Sequence, residues 1–397
     1  MITELRIENF KSFGSGTDAL HLKPLNFIVG ANASGKTNLV SALRFLKLAV
    51  VQNVEHAIHA MGGTAEVRNR THHPSEEPQP MRIAITINDP TNWMVSGQGT
   101  SWYIRSMKYM VEIDLSDLDA KVTGESLVVV QQDPEGKERD FSLERSTTEA
   151  TIYDDLNDEP VRFIPGQMLD SSRLLAGAPF FAVQLNMLRQ YIEGWSFFNI
   201  YPDVARQAYK DLPEQGMGEY GEHLAVLLHR LEKQNGNGAI SRIVEGLRGA
   251  VPGFKGIRTV PLGIERSFEV LEDRLKGGLS PESVSDGTVR MLAMLVMAYF
   301  HDPQSTLLVI EEPETGLHPH LSKHVMDLLR TVSERRQVIA TTHNPAFLDE
   351  LEPDEVILCD KPEGYTVVRT AAAVEDIETF RKTFRLGELW QQGALGG

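Results

Sequence analysis

The 397-residue sequence predicts an α/β protein: a phosphate-loop core with a mostly parallel sheet, an antiparallel β meander forming an arm, and a helical insertion. Three observations predict it. Gly30-Ala-Asn-Ala-Ser-Gly-Lys-Thr37 fits G-x-x-x-x-G-K-[ST] between an apolar strand and an amphipathic helix. From Thr288 to Thr341, helix and strand patterns alternate as in a parallel sheet. From Met81 to about Asp158, strand-like runs are separated by turn-forming, charged segments.

Taken in order, Ile2–Phe10 alternates as a strand, and Leu25–Val29 is a short apolar strand running into Gly30. Thr37–Val50 repeats Leu39, Leu43, Leu46 and Val50 on one helical face. Gly62–Pro80 is polar and rich in turn formers, which predicts a surface loop. The meander holds strands at Ile83–Ile87, Tyr109–Ile113, Ser126–Gln131 and Ala150–Tyr153. Helical patterns then dominate Ala182–Leu247, including Tyr220–Gln234 and Ile240–Leu247 joined by a turn at Asn235–Gly238. The last segment reads as helix Thr288–Phe300, strand Thr306–Ile310, helix His320–Ser333 and strand Gln337–Thr341. The predicted domains are a first lobe over 1–165, a helical insertion over 166–260 and a second lobe over 261–397.

A net charge of −16 argues against coating nucleic acid or anionic membrane by bulk charge, although a local basic groove remains compatible. Met291–Phe300 is only about half the ~20 residues needed to span a bilayer. The start MITELRIENF lacks a signal core, so a cytoplasmic, non-membrane protein is expected. Cys359, the single cysteine, lies in an apolar run and reads as a buried structural thiol. Arg330, Arg335 and Arg336 read as a charged helix end, and Glu375, Asp376 and Glu378 as a solvated helix face.

The chemistry starts at the glycine-rich loop. Its glycines let backbone amides and a helix N-terminus wrap a phosphate, Lys36 reaches the β and γ phosphates, and the Thr37 hydroxyl can ligate Mg²⁺. Val309-Ile-Glu-Glu-Pro313 ends a second apolar strand in two carboxylates, which side by side require a cation. Glu311 can face Mg²⁺ directly or through a water. Glu312 points elsewhere, because strand residues alternate sides, and can orient a water for attack on the γ phosphate. The alternative is a solvated Glu-Glu turn. Val284-Ser-Asp-Gly-Thr288 opens a helix as a second anion-binding N-terminus, with Met291, Met294 and Met297 behind it as core packing. His343 follows the next strand in Thr341-Thr-His-Asn-Pro345, where a structural histidine is the competing reading.

Together, NFKSF at Asn9–Phe13, GANASGKTN at Gly30–Asn38, SDGT at Ser285–Thr288, IEEPETGLHP from Ile310 and TTHNP from Thr341 resemble the SMC/RecF/OLD branch of ABC-type ATPases. The resemblance covers about 1–48 and 279–348, and the tail Leu386–Trp390 with Gly393–Gly397 looks like that of stand-alone bacterial ATPases in this branch. It implies a P-loop NTPase head that binds ATP with Mg²⁺ and hydrolyses it in a homodimer sandwiching two nucleotides. Ser285 and Gly287 would meet the γ phosphate in trans, and His343 would sense it in cis. Lys11, Ser12, Gly30, Asn32, Ala33, Ser34, Gly35, Lys36, Thr37 and Asn38 would bind the nucleotide, with Thr37 and Glu311 on the metal. Gln184 is a candidate coupling glutamine. Two positions depart from the pattern: Asp286 replaces a glycine, and Glu311 an aspartate.

The work performed is left open between an ATP-driven switch for a separately encoded effector, such as a nuclease or toxin in anti-phage defence, and a RecF/SMC-like DNA-binding repair ATPase. A transporter subunit shares the catalytic motifs but not NFKSF or the meander. The segment after His343 is expected to be too short for a Toprim nuclease of the OLD kind.

Overall fold

A computed structural model of the chain describes all residues except 70–78, 89–92, 98–99, 117–119, 155–158, 165–170, 179–181, 213–215, 234–237, 301–303, 319–320, 363 and 396–397. The chain divides into two compact units. One comprises Met1–Trp195, Pro353–Ile377 and Leu395–Gly397, and the other Ser196–Glu352 and Glu378–Ala394.

In the first unit the meander is an antiparallel sheet. Strand Ile2–Glu8 pairs with Met81–Asn88, which continues through Thr100–Asp114, Lys121–Gln132, Glu138–Ser146 and Ala150–Asp154. The predicted strands are all present and longer than their apolar runs, Thr100–Asp114 extending to 15 residues. Glu138–Ser146 has no counterpart in the predicted strands, because five of its nine residues are charged. It is nonetheless a strand with Phe141 and Leu143 buried, and Arg139 and Arg145 join them. Arg139 donates to Gln131 Oε1 at 2.6 Å and stacks over Trp102 at 4.2 Å. Arg145 faces the fully buried Glu125, which also accepts from Tyr109 and the Leu175 and Ala176 amides. Paired in this way, burial of these charges is tolerable.

The same unit holds Leu25–Val29, fully buried and parallel to Val356–Asp360, which pairs antiparallel with Val367–Thr370. Cys359 is buried in Val356–Asp360 as expected, and burial pushes its thiol up to about 12. Helix Lys36–Val51 buries Leu39, Leu43, Leu46 and Val50. The predicted surface loop needs correction over its described part: Thr64–Val67 is a helical turn with Val67 and Asn69 buried, and Phe10 bridges Arg68. Val67 supplies the apolar anchor that composition averaging hides. Residues 70–78 of that prediction lie outside the described residues.

In the second unit, Leu307–Glu311 and Gln337–Thr342 are a parallel pair, with helices Asp286–Phe300 and Ser322–Ser333 in the same unit. Met291, Met294 and Met297 are at most 1% exposed, so the methionine stripe is core. Over the stretch predicted as a helical insertion, helix Val183–Glu193 belongs to the first unit and helices Leu224–Lys233 and Ala239–Ala250 to the second, and the helical reading missed strand Trp195–Phe198. Its Trp-Ser-Phe-Phe is too short to show a period. The Asn235–Gly238 turn and the start of the helix at His320 fall on or beside residues outside the described set. Among the described residues, no helix is long and apolar enough to cross a membrane.

Candidate functional site

Each unit carries one part of the predicted residue set. Lys11, Ser12, Gln184 and Gly30–Asn38 fall in the first, and Ser285, Gly287, Glu311, Glu312 and His343 in the second.

In the first unit the glycine-rich loop leaves strand Leu25–Val29 and closes on helix Lys36–Val51. Gly35 caps that helix at φ 113°, and a Cβ there would also collide with the Thr366 hydroxyl. A side chain on Gly30 would strike the Cys359 carbonyl, so the loop lies directly against the backbone of strand Val356–Asp360. Ala33 takes a left-handed φ of 64°. Asn32, Ala33 and Thr37 are exposed, whereas Ser34 is buried. Lys36 Nζ donates to the Gly30 and Ala31 carbonyls at 2.6 and 2.9 Å, which holds the ammonium over the loop. First-turn amides of a helix have no intrahelical acceptor, so this end suits an anion.

Behind the loop runs a directional relay. Asn38 Nδ2 donates to Ser12 Oγ at 2.6 Å, and Ser12 Oγ lies 2.7 Å from Thr366 Oγ1. Thr366 Oγ1 in turn donates to the Ser34 carbonyl at 2.9 Å. A hydroxyl carries one proton, so Thr366 spends its own on Ser34 and Ser12 must donate to Thr366. The Thr366 amide also donates to the Ser12 carbonyl at 2.7 Å. Ser12 and Asn38, expected at the nucleotide, are thus engaged in shaping the loop. Thr366, 1% exposed, was absent from the sequence-derived set. Nothing in Gly364-Tyr-Thr-Val367 marks it, and only its place beside the glycine-rich loop could have.

The segment NFKSF packs on the same helix. Phe10 meets Phe45 edge-on with centroids 5.8 Å apart, and Phe13 is buried. Asn9 and Lys11 hold positive φ angles of 54° and 49°, and the Lys11 amide donates to the Val67 carbonyl at 2.8 Å. Burial lowers the Lys11 ammonium pKa, with Glu66 opposing it. Gln184 is buried in the first turn of helix Val183–Glu193.

In the second unit, Glu311 ends strand Leu307–Glu311 and Glu312 follows with φ 45°. Glu312 therefore leaves the strand as a left-handed residue, outside the regular strand alternation that the sequence suggests. Such a conformation costs on the order of 1–3 kcal/mol and persists only where neighbours fix it. They do so here: the Glu312 amide donates to the Thr341 carbonyl and hydroxyl, both at 3.1 Å. Arg290 Nη1 donates to its carbonyl at 3.1 Å. Thr315 Oγ1 donates to Glu312 Oε2 at 3.1 Å, and His343 Nδ1 lies 3.3 Å from Glu312 Oε1. Paired carboxylate and histidine are both half-exposed.

Glu314, two residues on, is 7% exposed and accepts from the Thr342 hydroxyl and, at 3.4 Å, from the His343 amide. Burial raises its carboxyl pKa, the Thr342 hydrogen bond opposing. It ties the turn after Glu312 to the residue that carries the histidine. Ser285 is exposed and caps helix Asp286–Phe300: its Oγ accepts from the Thr288 amide at 3.3 Å and lies 2.9 Å from Thr288 Oγ1. Gly287 packs against the Gly316 carbonyl.

Oxygen groups that could ligate Mg²⁺ are the exposed Thr37 hydroxyl in the first unit and, separately, the Glu311 carboxylate in the second. Hard oxygen ligands in small number suit an ion that keeps waters and phosphate oxygens around it.

Comparisons with known proteins point to ATPases and ATP-binding proteins. A family model described as "AAA ATPase domain" matches residues 1–123, and one described as "AAA domain, putative AbiEii toxin, Type IV TA system" matches 169–349. A curated relative, Nod factor export ATP-binding protein I of Rhizobium etli, is 38% identical over 95 residues, covering 24% of this chain and 26% of that protein. The chain thus spans about a quarter of that relative's length. Among solved structures, an SMC head bound to the C-terminal winged-helix domain of ScpA aligns over 93% of this chain and 97% of its own at TM-score 0.53 and 15% identity. An SMC head bound to the ScpA C-terminal domain, from Pyrococcus furiosus, aligns over 96% and 99% at TM-score 0.48 and 14% identity. The two AAA models match the parts of the chain that carry the ATPase motifs, and the fold is similar to that of an SMC head.

Proposed function

We propose that the chain is an ATP-driven switch. It binds and hydrolyses ATP, dimerises around two nucleotides, and controls a separately encoded effector protein in defence. The observation that carries the hydrolytic part is the Glu312–His343 pair, 3.3 Å apart and braced by Thr315, directly after an apolar strand that ends in Glu311. A carboxylate oriented by two donors is a general base with little rotational freedom left to lose.

In this mechanism Lys36 and the first-turn amides bind the β and γ phosphates, and Lys11 adds positive charge. Ser12 and Asn38 act through the relay that sets the loop's shape. Thr37 and Glu311 would be the residues that hold Mg²⁺, which would supply positive charge beside the phosphates. Glu312 accepts a proton from the attacking water. With Nδ1–H donated to Glu312, His343 presents Nε2 as its second hydrogen-bonding nitrogen, the one that would meet the γ phosphate. Ser285 Oγ and the Gly287 amide act on the nucleotide of a neighbouring copy, each copy completing the other's site.

The effector role is supported by the toxin–antitoxin description of the model matching 169–349, and the net charge of −16 disfavours DNA as the main partner. ATP turnover should fall about 10²–10⁴-fold in Glu312→Gln while ATP still binds. Affinity capture of Glu312→Gln with ATP should retain a protein encoded beside this chain. Retention of DNA without protein would favour the RecF/SMC-like repair reading instead.

A further inference from the structure

Asp286 stands where the more familiar signature has glycine, placing a carboxylate in the loop proposed to meet a triphosphate. The second unit contains its counterpart. Arg206, just after the short helix Pro202–Ala205, sends its guanidinium into the segment Ser280–Asp286. Nε donates to the Pro281 carbonyl at 2.9 Å, and Nη2 donates to the Val284 carbonyl at 2.8 Å and to Asp286 Oδ1 at 2.5 Å. Nη1 donates to Asp203 Oδ1 at 3.1 Å. The Arg206 side chain is 12% exposed, whereas Asp286 is 68% exposed. One largely buried, planar fork therefore gathers two carbonyls and one carboxylate from Pro281–Asp286, the segment that runs through Ser285 into the helix it caps.

We propose that Arg206 is the positioning residue of the signature loop: it fixes the backbone that presents Ser285 and Gly287, and it offsets the Asp286 charge so that the loop can approach an anionic nucleotide. This inference rests on the reading of Ser285 and Gly287 given above. Lysine cannot replace arginine in this role, because a single ammonium cannot span donors to Pro281, Val284 and Asp286 in a fixed plane. The two carbonyls make the arginine a structural clamp, and the carboxylate makes it an electrostatic one. The two parts separate by substitution: Asp286→Gly removes the charge that needs offsetting and leaves both carbonyl contacts available.

The test uses the full chain in the Glu312→Gln background. Hydrogen exchange at the Ser283 and Val284 amides, which donate to Ser280 and Pro281 carbonyls, reads the loop in the monomer. Arg206→Met should speed that exchange tenfold or more, leave the monomer's ATP dissociation constant within twofold, and raise the protein concentration needed for ATP-dependent dimerisation tenfold or more. Arg206→Lys should recover only part of either effect. In an Asp286→Gly background the dimerisation penalty of Arg206→Met should shrink severalfold, which a purely structural arginine would not do. Unchanged exchange in Arg206→Met, or a dimerisation penalty indifferent to Asp286→Gly, overturns the inference. If the Glu312→Gln parent binds ATP but stays monomeric, the shared-site reading fails, and the exchange measurement still decides the clamp.

Discussion

Thr366→Val is the sharpest probe of how the phosphate loop is held. The substitution keeps the side-chain shape but deletes the hydroxyl that donates to the Ser34 carbonyl and accepts from Ser12. Thr366 is 1% exposed, so water does not replace those bonds. Each buried group left without a partner costs roughly 1–3 kcal/mol, and the Ser12 hydroxyl can turn and recover part of its share, which leaves about 2–3 kcal/mol. Thr366→Ser keeps the hydroxyl and loses one methyl, worth about 1 kcal/mol. If about 1.4 kcal/mol of the Thr366→Val cost falls on the phosphate-binding shape of the loop, ATP affinity drops tenfold. Urea unfolding and calorimetric ATP titration of both variants read the two quantities. Ser12→Ala combined with Thr366→Val should cost less than the sum of the single changes, since both break one relay. Equal stability and equal ATP affinity for the valine and serine variants would refute the relay.

Gly35→Ala forces a side chain onto a φ of 113° and into Thr366, so a loss on the order of 1–3 kcal/mol from the backbone alone is expected in thermal unfolding, with ATP binding impaired more than by Ala33→Gly. Lys36→Met removes a charge-assisted donor worth roughly 1.5–3 kcal/mol, so ATP should bind about 10–150-fold more weakly by titration, with the melting temperature of the unliganded chain little changed. Glu314 is a pH case. Burial raises its carboxyl pKa above the ordinary 4.5, so the folded chain holds that proton more tightly than the unfolded chain does. Its contribution to stability is therefore lost as pH rises from the ordinary value through the raised one. Glu314→Gln should flatten the melting-temperature profile across that window and raise the melting temperature above it; an unchanged profile contradicts the assignment.

What the sequence disclosed follows from how local the determinants are. The glycine-rich loop was legible because its function needs glycine, lysine and threonine at fixed short spacing, between a strand and a helix that also show their periods. Leu25–Val29 was legible as an apolar run and Gln337–Thr342 from its Val338–Ala340 centre, and both are fully buried. Thr366 was not, because it meets Ser34 across a separation of 332 residues and nothing beside it announces a hydroxyl in use. The charged strand Glu138–Ser146 was hidden for a related reason: Arg139 and Arg145 belong inside only because Gln131 and Glu125 await them on the neighbouring strand. Asp286 looked anomalous beside its own neighbours and becomes intelligible only with Arg206, 80 positions earlier. Glu312 was expected to alternate as a strand residue, but it follows the strand with a positive φ.

The shared-site mechanism is tested most directly by the mass in solution of Glu312→Gln with ATP and Mg²⁺, measured by light scattering beside the same sample without nucleotide. The mass should rise with ATP from that of one 44.3 kDa chain to twice that value, and Ser285→Arg in the same background should prevent the rise. A variant that takes up ATP yet keeps the mass of a single chain would contradict a site completed by a second copy.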